Sequence, residues 1–400
     1  MGKIEKQTYA VKLTPNAEKA VKKGHPWVYE TGIQKIKDGS KTGDIAIIFN
    51  SSTNAFLAIG LIDQDSIVRI KLLSIHKKLK LDTNWIKEGL KTAYHIRKPL
   101  LDITNAFRLC YGESDQFPGL IIDVYNKTAV IKLYSLIWIP YLEEVSEAVK
   151  EICNLDELIL RFSRNMSRIN RHATFKEGYH LLGSRDQRFI SIYENDVKFL
   201  IDPIQGHKTG FFLDHRNNRI KIGKLSKAKR VLDVFCYIGG FSMHALKGGA
   251  SEVVSMDISQ KALKMASQIA SENGVQDRHT TVCGDAFKLL NQIVSKKEKF
   301  DLIIIDPPSM AKAKDEIEVA LNKYTELAKL GAQLLNPGGI ILLASCSSRI
   351  NINQLLEANQ KGFLHSGEEL RLIETADHDI DHPISIKEMS YLKAAYYSKL

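Results

Sequence analysis

The second half of this chain alternates strand patterns with helix patterns, and this alternation constrains the fold more than any other feature of the sequence. From about residue 200, short aliphatic runs are each followed by an amphipathic stretch that ends at glycine or a polar turn. The runs read RVLDVFCY, EVVSMDIS, HTTVCGD, FDLIIIDPP and IILLASCS. Five strands joined by short helical crossovers predict an α/β class, with a doubly wound, Rossmann-like sheet. Ligands of such sheets bind beyond the carboxyl ends of the strands.

The first half of the chain has a different rhythm. Residues 8–75 contain short β-segments separated by turns, DIAIIF, AFLAIGLI and SIVRIKLL, which are typical of a small β-barrel. Residues 80–195 mix helical and strand patterns, including a hairpin that turns at Asn126-Lys127. We therefore expect three domains in 400 residues: a β-barrel at 1–78, an α+β domain at 79–195 and the doubly wound domain at 196–400.

The net charge of +10 is unevenly distributed. The first 100 residues hold 18 Lys and Arg against 9 Asp and Glu, and the stretch 161–188 holds seven cations against two acids. Such asymmetry favours a polyanionic partner, although two solvated basic faces are the alternative. Basic and aromatic side chains interleave in KKGHPWVYE, so we predict that an RNA is bound by Lys22, Lys23, Trp27, Arg164 and Arg168. The alternative for Trp27 is that it fills the core of the barrel.

Cysteine usage and hydropathy exclude other classes. The five cysteines are scattered and form no C-x-x-C pair, which argues against a disulfide framework and a zinc site. No apolar run approaches the roughly 18 residues that a membrane span requires. We expect a cytoplasmic protein with no membrane segment and no metal.

Polar residues and glycines occur where the predicted strands end. Gly239 and Gly240 follow the first strand, Asp257 ends the second, and Asp285 ends the third. Glycines permit close backbone approach, and an acid after the second strand holds ribose hydroxyls in dinucleotide-type folds. A helix N-cap is the alternative for any single Asp. The predicted residues of an adenosine-containing cofactor site are Asp233, Phe235, Gly239, Gly240, Asp257, Ile258, Asp285, Ala286 and Asp306.

Two adenosine cofactors are distinguished by the local motifs. NAD binding favours G-x-G-x-x-G after the first strand, and CYIGGF lacks this pattern. The fourth strand ends in Asp306-Pro307-Pro308, which is typical of methyltransferases that dock a planar base beside the methyl group. The sequence therefore predicts S-adenosylmethionine as the cofactor.

At these motifs the chain resembles a known family. QGHKTGFFLDHRNNR, VLDVFCYIGGF, DLIIIDPPS and ASCSS are similar to the bacterial 23S rRNA cytosine-C5 methyltransferases of the RlmI type, and GHPWVY is similar to the start of their PUA domain. The resemblance covers nearly the whole chain. It implies a PUA RNA-binding domain, a class I methyltransferase domain, and a large-subunit 23S rRNA or ribosome precursor as partner. A homodimer is also predicted.

The resemblance also implies roles for individual residues. Gln205, Thr209, Phe211 and Arg216 would line the cofactor pocket. Pro307, Pro308 and Ser309 would face the target base. The chain departs from the family at two positions: His215 stands where Gln is usual, and Ser309 stands where Lys is common.

The resemblance places a nucleophile at Cys346, where free cysteine in a strand would otherwise be inert core packing. Cytosine C5 becomes nucleophilic only when a thiolate adds at C6, so this chemistry requires such a cysteine. Cys346 lies at the carboxyl end of the fifth predicted strand, next to the fourth strand and Asp306, so we expect the sheet to bring the thiol and the carboxyl group to the same face. Asp306 would hold the N3 and N4 edge of the base and supply a proton to N3. The serines on either side of Cys346 are expected to form the polar mouth of the cleft. Two alternatives stay open: methylation of an exocyclic amine of guanine or adenine, and a ribosome-assembly factor without catalytic activity.

Overall fold

The structure is a computed structural model that describes residues 6–169, 175–184, 187–311 and 313–400. The chain divides into two compact units. The first comprises the described residues up to Ile192 together with Ile201–Leu213 and Ile380–Ile386. The second comprises Tyr193–Leu200, Asp214–Asp379 and Lys387–Leu400.

The first unit begins with a six-stranded mixed sheet, which contains the three β-segments predicted for this region. Its elements are β1 (Thr8–Leu13), α1 (Pro15–Lys22), β2 (Trp27–Val28), β3 (Ile33–Ile36), β4 (Ile45–Phe49), β5 (Phe56–Ile62) and β6 (Ile70–Ile75). The strand order is β2-β6-β5-β4-β1-β3, with β1 parallel to β4. Strands β1 and β4 alternate between buried and less buried residues, so one face of each strand packs into the core of this sheet.

A five-stranded sheet follows in the same unit, with the order β11-β10-β9-β8-β7. Its elements are α2 (Thr83–Arg97), β7 (Ala106–Tyr111), β8 (Leu120–Tyr125), β9 (Thr128–Leu133), α3 (Leu142–Cys153), β10 (Glu157–Phe162), α4 (Arg164–Ile169) and β11 (Tyr179–Leu182). The predicted hairpin is β8–β9. Asn126 at its turn has a φ of 56°, which asparagine tolerates better than most residues.

The two sheets of the first unit share apolar packing. Leu61 of β5 and Leu73 of β6 belong to the same buried cluster as Trp138 and the strands β7 to β10. The Tyr141 hydroxyl donates to the carbonyl of Gly43 at 3.0 Å. This packing explains why the segments predicted as separate domains form one compact unit, and the predicted boundaries at residues 78 and 195 stay predictions.

The second unit is built on a seven-stranded sheet with the order β16-β15-β14-β17-β18-β20-β19. The hairpin of β12 (Ile190–Glu194) and β13 (Val197–Ile201) precedes it. Its elements are α5 (Arg216–Leu225), β14 (Arg230–Val234), α6 (Gly240–Lys247), β15 (Glu252–Asp257), α7 (Gln260–Glu272), β16 (His279–Cys283), α8 (Ala286–Ser295), β17 (Phe300–Ile305), α9 (Ile317–Leu334), β18 (Leu335–Ser345), α10 (Ile352–Ser366), β19 (Leu370–Ala376) and β20 (Lys393–Lys399).

The α/β class and the Rossmann-like sheet are confirmed. Strands β14 to β18 are the five predicted strands, and they pair in parallel in the order that places β14 at the centre. The structure adds two antiparallel strands, β19 and β20, with β20 paired to β18. Strands β14 and β17 are almost continuously buried, as expected of a parallel sheet covered on both faces by helices. Among the described residues, no helix combines the length and apolar character needed to cross a membrane.

Candidate active site

The carboxyl ends of the parallel strands in the second unit carry the polar residues that the sequence singled out. Asp257 is the last residue of β15, and Asp285 lies two residues beyond β16. Asp306 follows β17, and Cys346 follows β18. Because these strands are parallel neighbours, their carboxyl ends share one edge of the sheet. The fold therefore gathers these residues at the edge where such sheets bind ligands.

The loop between β14 and α6 has a strained backbone. Phe235 and Tyr237 have φ values of 66° and 52°, which are rare for bulky residues. Gly239 has a φ of 80°, and a Cβ there would approach the Met243 methyl to 3.2 Å and the Ala266 Cβ to 3.3 Å. Strain of this kind persists at functional sites because the surrounding structure holds it. The glycine is required here for both its backbone conformation and its small volume.

Asp233 lies below this loop and is fully buried. Its Oδ2 accepts hydrogen bonds from the Ser242 amide (3.0 Å) and the Ser242 hydroxyl (2.5 Å), whereas its Oδ1 is buried with no described partner. Burial raises the pKa of Asp233 to about 7, and the carboxylates of Asp306 and Asp257 add to this effect. An unpaired buried carboxyl oxygen at a strand end is suited to a polar ligand group.

Asp257 and Ile258 differ in what they offer. The carboxylate of Asp257 accepts from the Tyr237 amide at 2.9 Å and from the Ser259 amide at 2.8 Å, so it shapes the rim of the loop. Ile258 leaves 74% of its surface exposed, which is costly for an isoleucine unless something covers it. An exposed aliphatic side chain beside a strand-end acid matches the needs of a nucleoside, with the acid for ribose and the apolar surface for the base.

Asp285 has the role that the sequence left as its alternative. Its Oδ1 accepts from the Lys288 amide at 3.0 Å, which makes it the N-cap of α8. Ala286 is buried as the first residue of that helix. A capping carboxylate retains a second oxygen that can accept from an adenine amine, so its role toward the cofactor stays a prediction.

Three reactive side chains meet where β17 and β18 end. The Cys346 thiol donates to Asp306 Oδ1 at 3.6 Å, a distance usual for sulfur. His215 Nε2 lies 3.3 Å from Asp306 Oδ2 and 3.9 Å from Cys346 Sγ. Asp306 and Cys346 are half-buried, and His215 is buried. The sequence predicted that Asp306 and Cys346 would approach each other, and it missed the histidine as their partner.

The tautomer of His215 follows from its other neighbours. Asn218 Nδ2 lies 3.1 Å from His215 Nδ1, and Asn218 Oδ1 accepts from the Tyr396 hydroxyl at 2.9 Å. An amide nitrogen can only donate, so Nδ1 is an acceptor and the ring proton resides on Nε2. His215 therefore presents an N–H to Asp306 and Cys346. Phe241 contacts the ring edge-on, at 5.3 Å between centroids.

The sequence suggested that the serines that flank Cys346 form the mouth of a cleft. The structure places them in the interior instead. Ser345 and Ser347 are both fully buried. The Ser345 hydroxyl is within 2.9 Å of the Tyr324 hydroxyl, and Ser347 Oγ donates to the Ala311 carbonyl at 2.9 Å. These bonds fix the backbone on both sides of the thiol because buried hydroxyls require partners.

Lys393 is a further residue that the sequence did not single out. It pairs with Ser345 across β18 and β20, and its Nζ donates to the Ser347 carbonyl at 2.5 Å. Burial lowers the pKa of Lys393 to about 8, while the nearby Cys346 acts in the opposite direction. A buried cation next to the thiol favours a negative charge on the sulfur.

Arg216 lies in a buried ionic cluster. Its Nη1 is 2.5 Å from Asp379 Oδ2, and its Nε is 3.5 Å from Glu194 Oε2. Arg219 binds both oxygens of the same glutamate at 2.6 and 2.7 Å. These contacts anchor the start of α5 directly after His215. A role for Arg216 in cofactor binding stays a prediction.

The other three residues assigned by resemblance to the pocket belong to the first unit. The Thr209 hydroxyl donates to Asp123 at 2.5 Å and is 2.8 Å from the Tyr125 hydroxyl. The amide of Phe211, whose side chain is buried, donates to the same tyrosine at 3.3 Å. Gln205 is exposed and accepts from Arg188. Thr209 and Phe211 thus stabilise their own unit, and their cofactor contacts stay predictions.

The predicted RNA-binding residues are mostly accessible. Lys22 is exposed and paired with Glu18, and Lys23, Arg164 and Arg168 are exposed. Part of the basic stretch, residues 170–174 and 185–186, lies outside the described residues. Trp27 is half-buried and donates its indole N–H to Glu113 at 2.9 Å, so it is not part of the apolar core around Val28.

The segment after Asp306 presents its residues unevenly. Pro307 is buried, whereas Pro308 and Ser309 are exposed. The Ser309 hydroxyl donates to the Ala311 carbonyl at 3.4 Å. The predicted contact of these three residues with a base stays a prediction.

Comparison with known proteins gives the family of this chain. The family model described as S-adenosylmethionine-dependent methyltransferase matches residues 169–391, more than half of the chain. The chain belongs to this family. A second model, described as a PUA-like domain, matches residues 11–75 and coincides with the first sheet. The expected cofactor is thereby confirmed. The unpaired Oδ1 of Asp233, the space at Gly239 and the uncovered Ile258 are compatible with it.

Relatives and solved structures agree with this assignment. The methyltransferase is 35% identical over 393 residues to a protein of Deinococcus radiodurans named "Ribosomal RNA large subunit methyltransferase", covering 96% of each chain. It is 35% identical over 390 residues to "Ribosomal RNA large subunit methyltransferase I" of Aeromonas salmonicida, covering 95% of this chain and 97% of the other. The family suggested by the sequence is thus confirmed.

The fold is similar to that of a putative SAM-dependent methyltransferase from Streptococcus mutans. The TM-score is 0.81 at 21% identity, and the match covers 97% of this chain and 99% of the other. A putative methyltransferase crystallised with SAH gives a TM-score of 0.82 at 21% identity, covering 98% and 100% of the two chains.

Proposed function

We propose that this methyltransferase forms 5-methylcytosine in large-subunit ribosomal RNA, through a covalent adduct between Cys346 and C6 of the target cytosine. The observation that carries the proposal is the hydrogen bond of the Cys346 thiol to Asp306 at the ends of adjacent strands. A methyltransferase that acts on an exocyclic amine needs no thiol beside the strand-end acid. The names of the relatives and the PUA-like domain support ribosomal RNA as the substrate.

Proton transfer starts the reaction. The thiol proton of Cys346 passes to Asp306 Oδ1, and the thiolate sulfur bonds to C6. The C5–C6 π electrons then shift to C4–C5, and those of C4–N3 shift to N3, which takes the proton from Asp306. The thiol proton therefore ends on the base, and Asp306 regains its negative charge. One carboxyl group holds the edge of the ring and carries the proton.

The enamine formed in this way makes C5 nucleophilic. Bound S-adenosylmethionine would supply the electrophilic methyl group for C5, and its sulfonium sulfur would thereby become a neutral thioether. Water takes the C5 proton, the freed pair restores the C5–C6 bond, and the S–C6 pair returns to Cys346. The N3 proton returns through Asp306 to the thiolate. Each turnover thus restores the thiol and releases one proton.

The substrate must bring its base out of the RNA stack to reach this edge of the sheet. The exposed cations Lys23, Arg164 and Arg168 are suited to phosphate contacts. The segment Pro308-Ser309 is exposed beside Asp306 and is suited to contact with the flipped base. Methyltransferases that modify exocyclic amines commonly have an aromatic residue after the proline pair, and Ser309 does not fit that group.

The test combines rRNA mapping with a matched pair of cysteine variants. Mass mapping of rRNA from cells with and without the gene should show one 5-methylcytosine that depends on this enzyme. The purified Cys346→Ala variant should lose at least about 10³-fold in methyl transfer, since removing a nucleophile removes the covalent route. Cys283→Ala is the control, because Cys283 is exposed at the end of β16 and outside this cluster.

RNA that carries 5-fluorocytidine should form a stable adduct with the wild-type enzyme and with Cys283→Ala. The fluorine replaces the C5 proton whose removal releases the thiol, so the adduct cannot break down. The Cys346→Ala variant should form none. Full methyl transfer by Cys346→Ala, or an unchanged 5-methylcytosine pattern in the cells, would instead support an exocyclic amine as the acceptor. Absence of S-adenosylmethionine binding in calorimetry would favour an assembly factor.

A further inference from the structure

His215 is buried between the two reactive groups, and the reaction above assigns it no role. Its Nε2 is 3.3 Å from Asp306 Oδ2 and 3.9 Å from Cys346 Sγ. The thiol donates to the other oxygen of Asp306. The imidazole therefore reaches both atoms between which the proton moves.

The tautomer shows what His215 can do there. Asn218, held by Tyr396, donates to Nδ1, and the proton is therefore on Nε2. A histidine that binds a metal through Nε2 needs a lone pair on that atom and donates from Nδ1. The three side chains lie within the span of a metal site, with all ligand atoms within 4.8 Å. With its proton on Nε2, His215 is a hydrogen-bond donor toward the sulfur and the carboxylate. This tautomer has no lone pair on Nε2 with which to bind a metal.

We infer that His215 is a positioning residue whose Nε2–H stabilises the negative charge that moves between Asp306 and Cys346. The inference rests on the proposed function, and it deepens that function by assigning the donor. Before proton transfer His215 Nε2 is hydrogen-bonded to the sulfur of Cys346 at 3.9 Å and lies 3.3 Å from the carboxylate of Asp306. After transfer the carboxyl group is neutral, the charge is on sulfur, and the same N–H now donates to a thiolate, which strengthens the hydrogen bond. Distances such as 3.9 Å shorten when substrate binds at such sites.

Other charged groups surround the cluster and do not replace this donor. Lys393 donates to the Ser347 carbonyl, and its charge acts on Cys346 electrostatically. Tyr324, whose pKa burial raises to about 12, is bonded to Ser345 and faces Asp306 and Cys346 as a neutral phenol. Asp233 adds a further carboxyl group on the side of Asp306. Among these described neighbours, the His215 N–H is the donor that lies within reach of both Asp306 and Cys346.

The experiment compares two substitutions of His215. His215→Gln places a neutral amide N–H near the same position, and His215→Leu fills a similar volume without a donor. The first readout needs no RNA: the rate at which iodoacetamide alkylates Cys346 at a fixed pH, followed by mass spectrometry in the Cys283→Ala background. The thiolate absorbance near 240 nm is measured on the same proteins.

His215→Leu should lower the alkylation rate and the thiolate absorbance by about tenfold, the scale of a lost hydrogen bond to a charged group. His215→Gln should stay within about threefold of the wild type. In methyl transfer, kcat should fall for His215→Leu, while the KM for RNA and the Kd of S-adenosylmethionine stay unchanged. Thermal unfolding and cofactor binding show whether each variant is folded.

Equal alkylation rates in wild type and His215→Leu would overturn the inference. Equal losses in both variants would also overturn it, because they would indicate a packing role in place of a donor. If the His215→Leu variant does not fold, the His215→Met variant is used instead. The proposed function can fail independently: an unchanged 5-methylcytosine pattern would refute that function, and the alkylation comparison would still decide the role of His215.

Discussion

Replacement of Glu194 by glutamine should destabilise the second unit strongly, because this carboxylate balances two buried guanidinium groups. Glu194 is fully buried, binds Arg219 through both oxygens and accepts from His244 at 3.0 Å. Although burial favours its neutral form, Arg219 and His244 hold the pKa of Glu194 far below its usual range. Arg216 is 3.5 Å away. Without the charge of Glu194, Arg219 loses the carboxylate that binds it through both oxygens, whereas Arg216 keeps its ion pair with Asp379.

Breaking a buried ion pair on one side costs about 3–5 kcal/mol, because a desolvated charge is left without its partner. For a unit of this size, this corresponds to a fall in Tm of about 6–20 °C. Scanning calorimetry and urea unfolding measure the effect on the transition of the second unit. Glu272→Gln is the matched control, since its ion pair with Lys198 is at the surface and a surface pair contributes at most about 1 kcal/mol.

The pH dependence gives a second check on the same variant. The pKa of Glu194 is lower in the folded state, so its contribution is complete above the unfolded value of about 4.5 and declines as the pH falls below it. The stability gap between wild type and Glu194→Gln should therefore be constant from pH 5 to 8 and shrink below pH 4.5. A gap below about 1 kcal/mol at pH 7, or one that grows in acid, would refute the reasoning.

Two further substitutions test the cofactor edge of the sheet. Burial raises the pKa of Asp233 to about 7, above its unfolded value of about 3.8, so the wild type should lose about 1.4 kcal/mol of stability per pH unit across that window. The stability of Asp233→Asn should not fall with pH in this way. If the stabilities of wild type and Asp233→Asn change in parallel from pH 4 to 8, this prediction is contradicted. Gly239→Ala should weaken S-adenosylmethionine binding in calorimetry, because a Cβ adds strain at φ 80° and crowds Met243. Gly274→Ala is the control, because Gly274 has a similar φ of 66° and a Cβ there would have no neighbour within 4 Å. Equal effects of Gly239→Ala and Gly274→Ala would contradict the steric argument.

The sheet could be predicted because strand-end residues in an alternating α/β pattern share one edge. This rule placed Asp306 beside Cys346, and the two strands are indeed neighbours. The rule does not extend to β19 and β20, which are antiparallel and follow a helix and a long loop. Sheet extensions of this kind depend on which edge remains free, and the local sequence does not contain that information.

The partner of the thiol could not be predicted from spacing. His215 lies far from Cys346 in sequence, and its burial depends on the ionic cluster that anchors α5. The resemblance assigned Gln205, Thr209, Phe211 and Arg216 in the surrounding block to the cofactor, and it marked His215 only as a departure from the family. In the structure Thr209 and Arg216 bind carboxylates of their own units, and such buried networks are set by tertiary packing.

Strand β20 has a consequence for the order in which the enzyme matures. It carries Lys393, next to the thiol, and Tyr396, which orients Asn218 and through it His215. During translation, Cys346 therefore leaves the ribosome several seconds before these partners at about 5–20 residues per second. Until β20 pairs with β18, the nascent chain therefore lacks the positive charge of Lys393 beside Cys346 and the hydrogen bond by which Tyr396 orients Asn218 and His215.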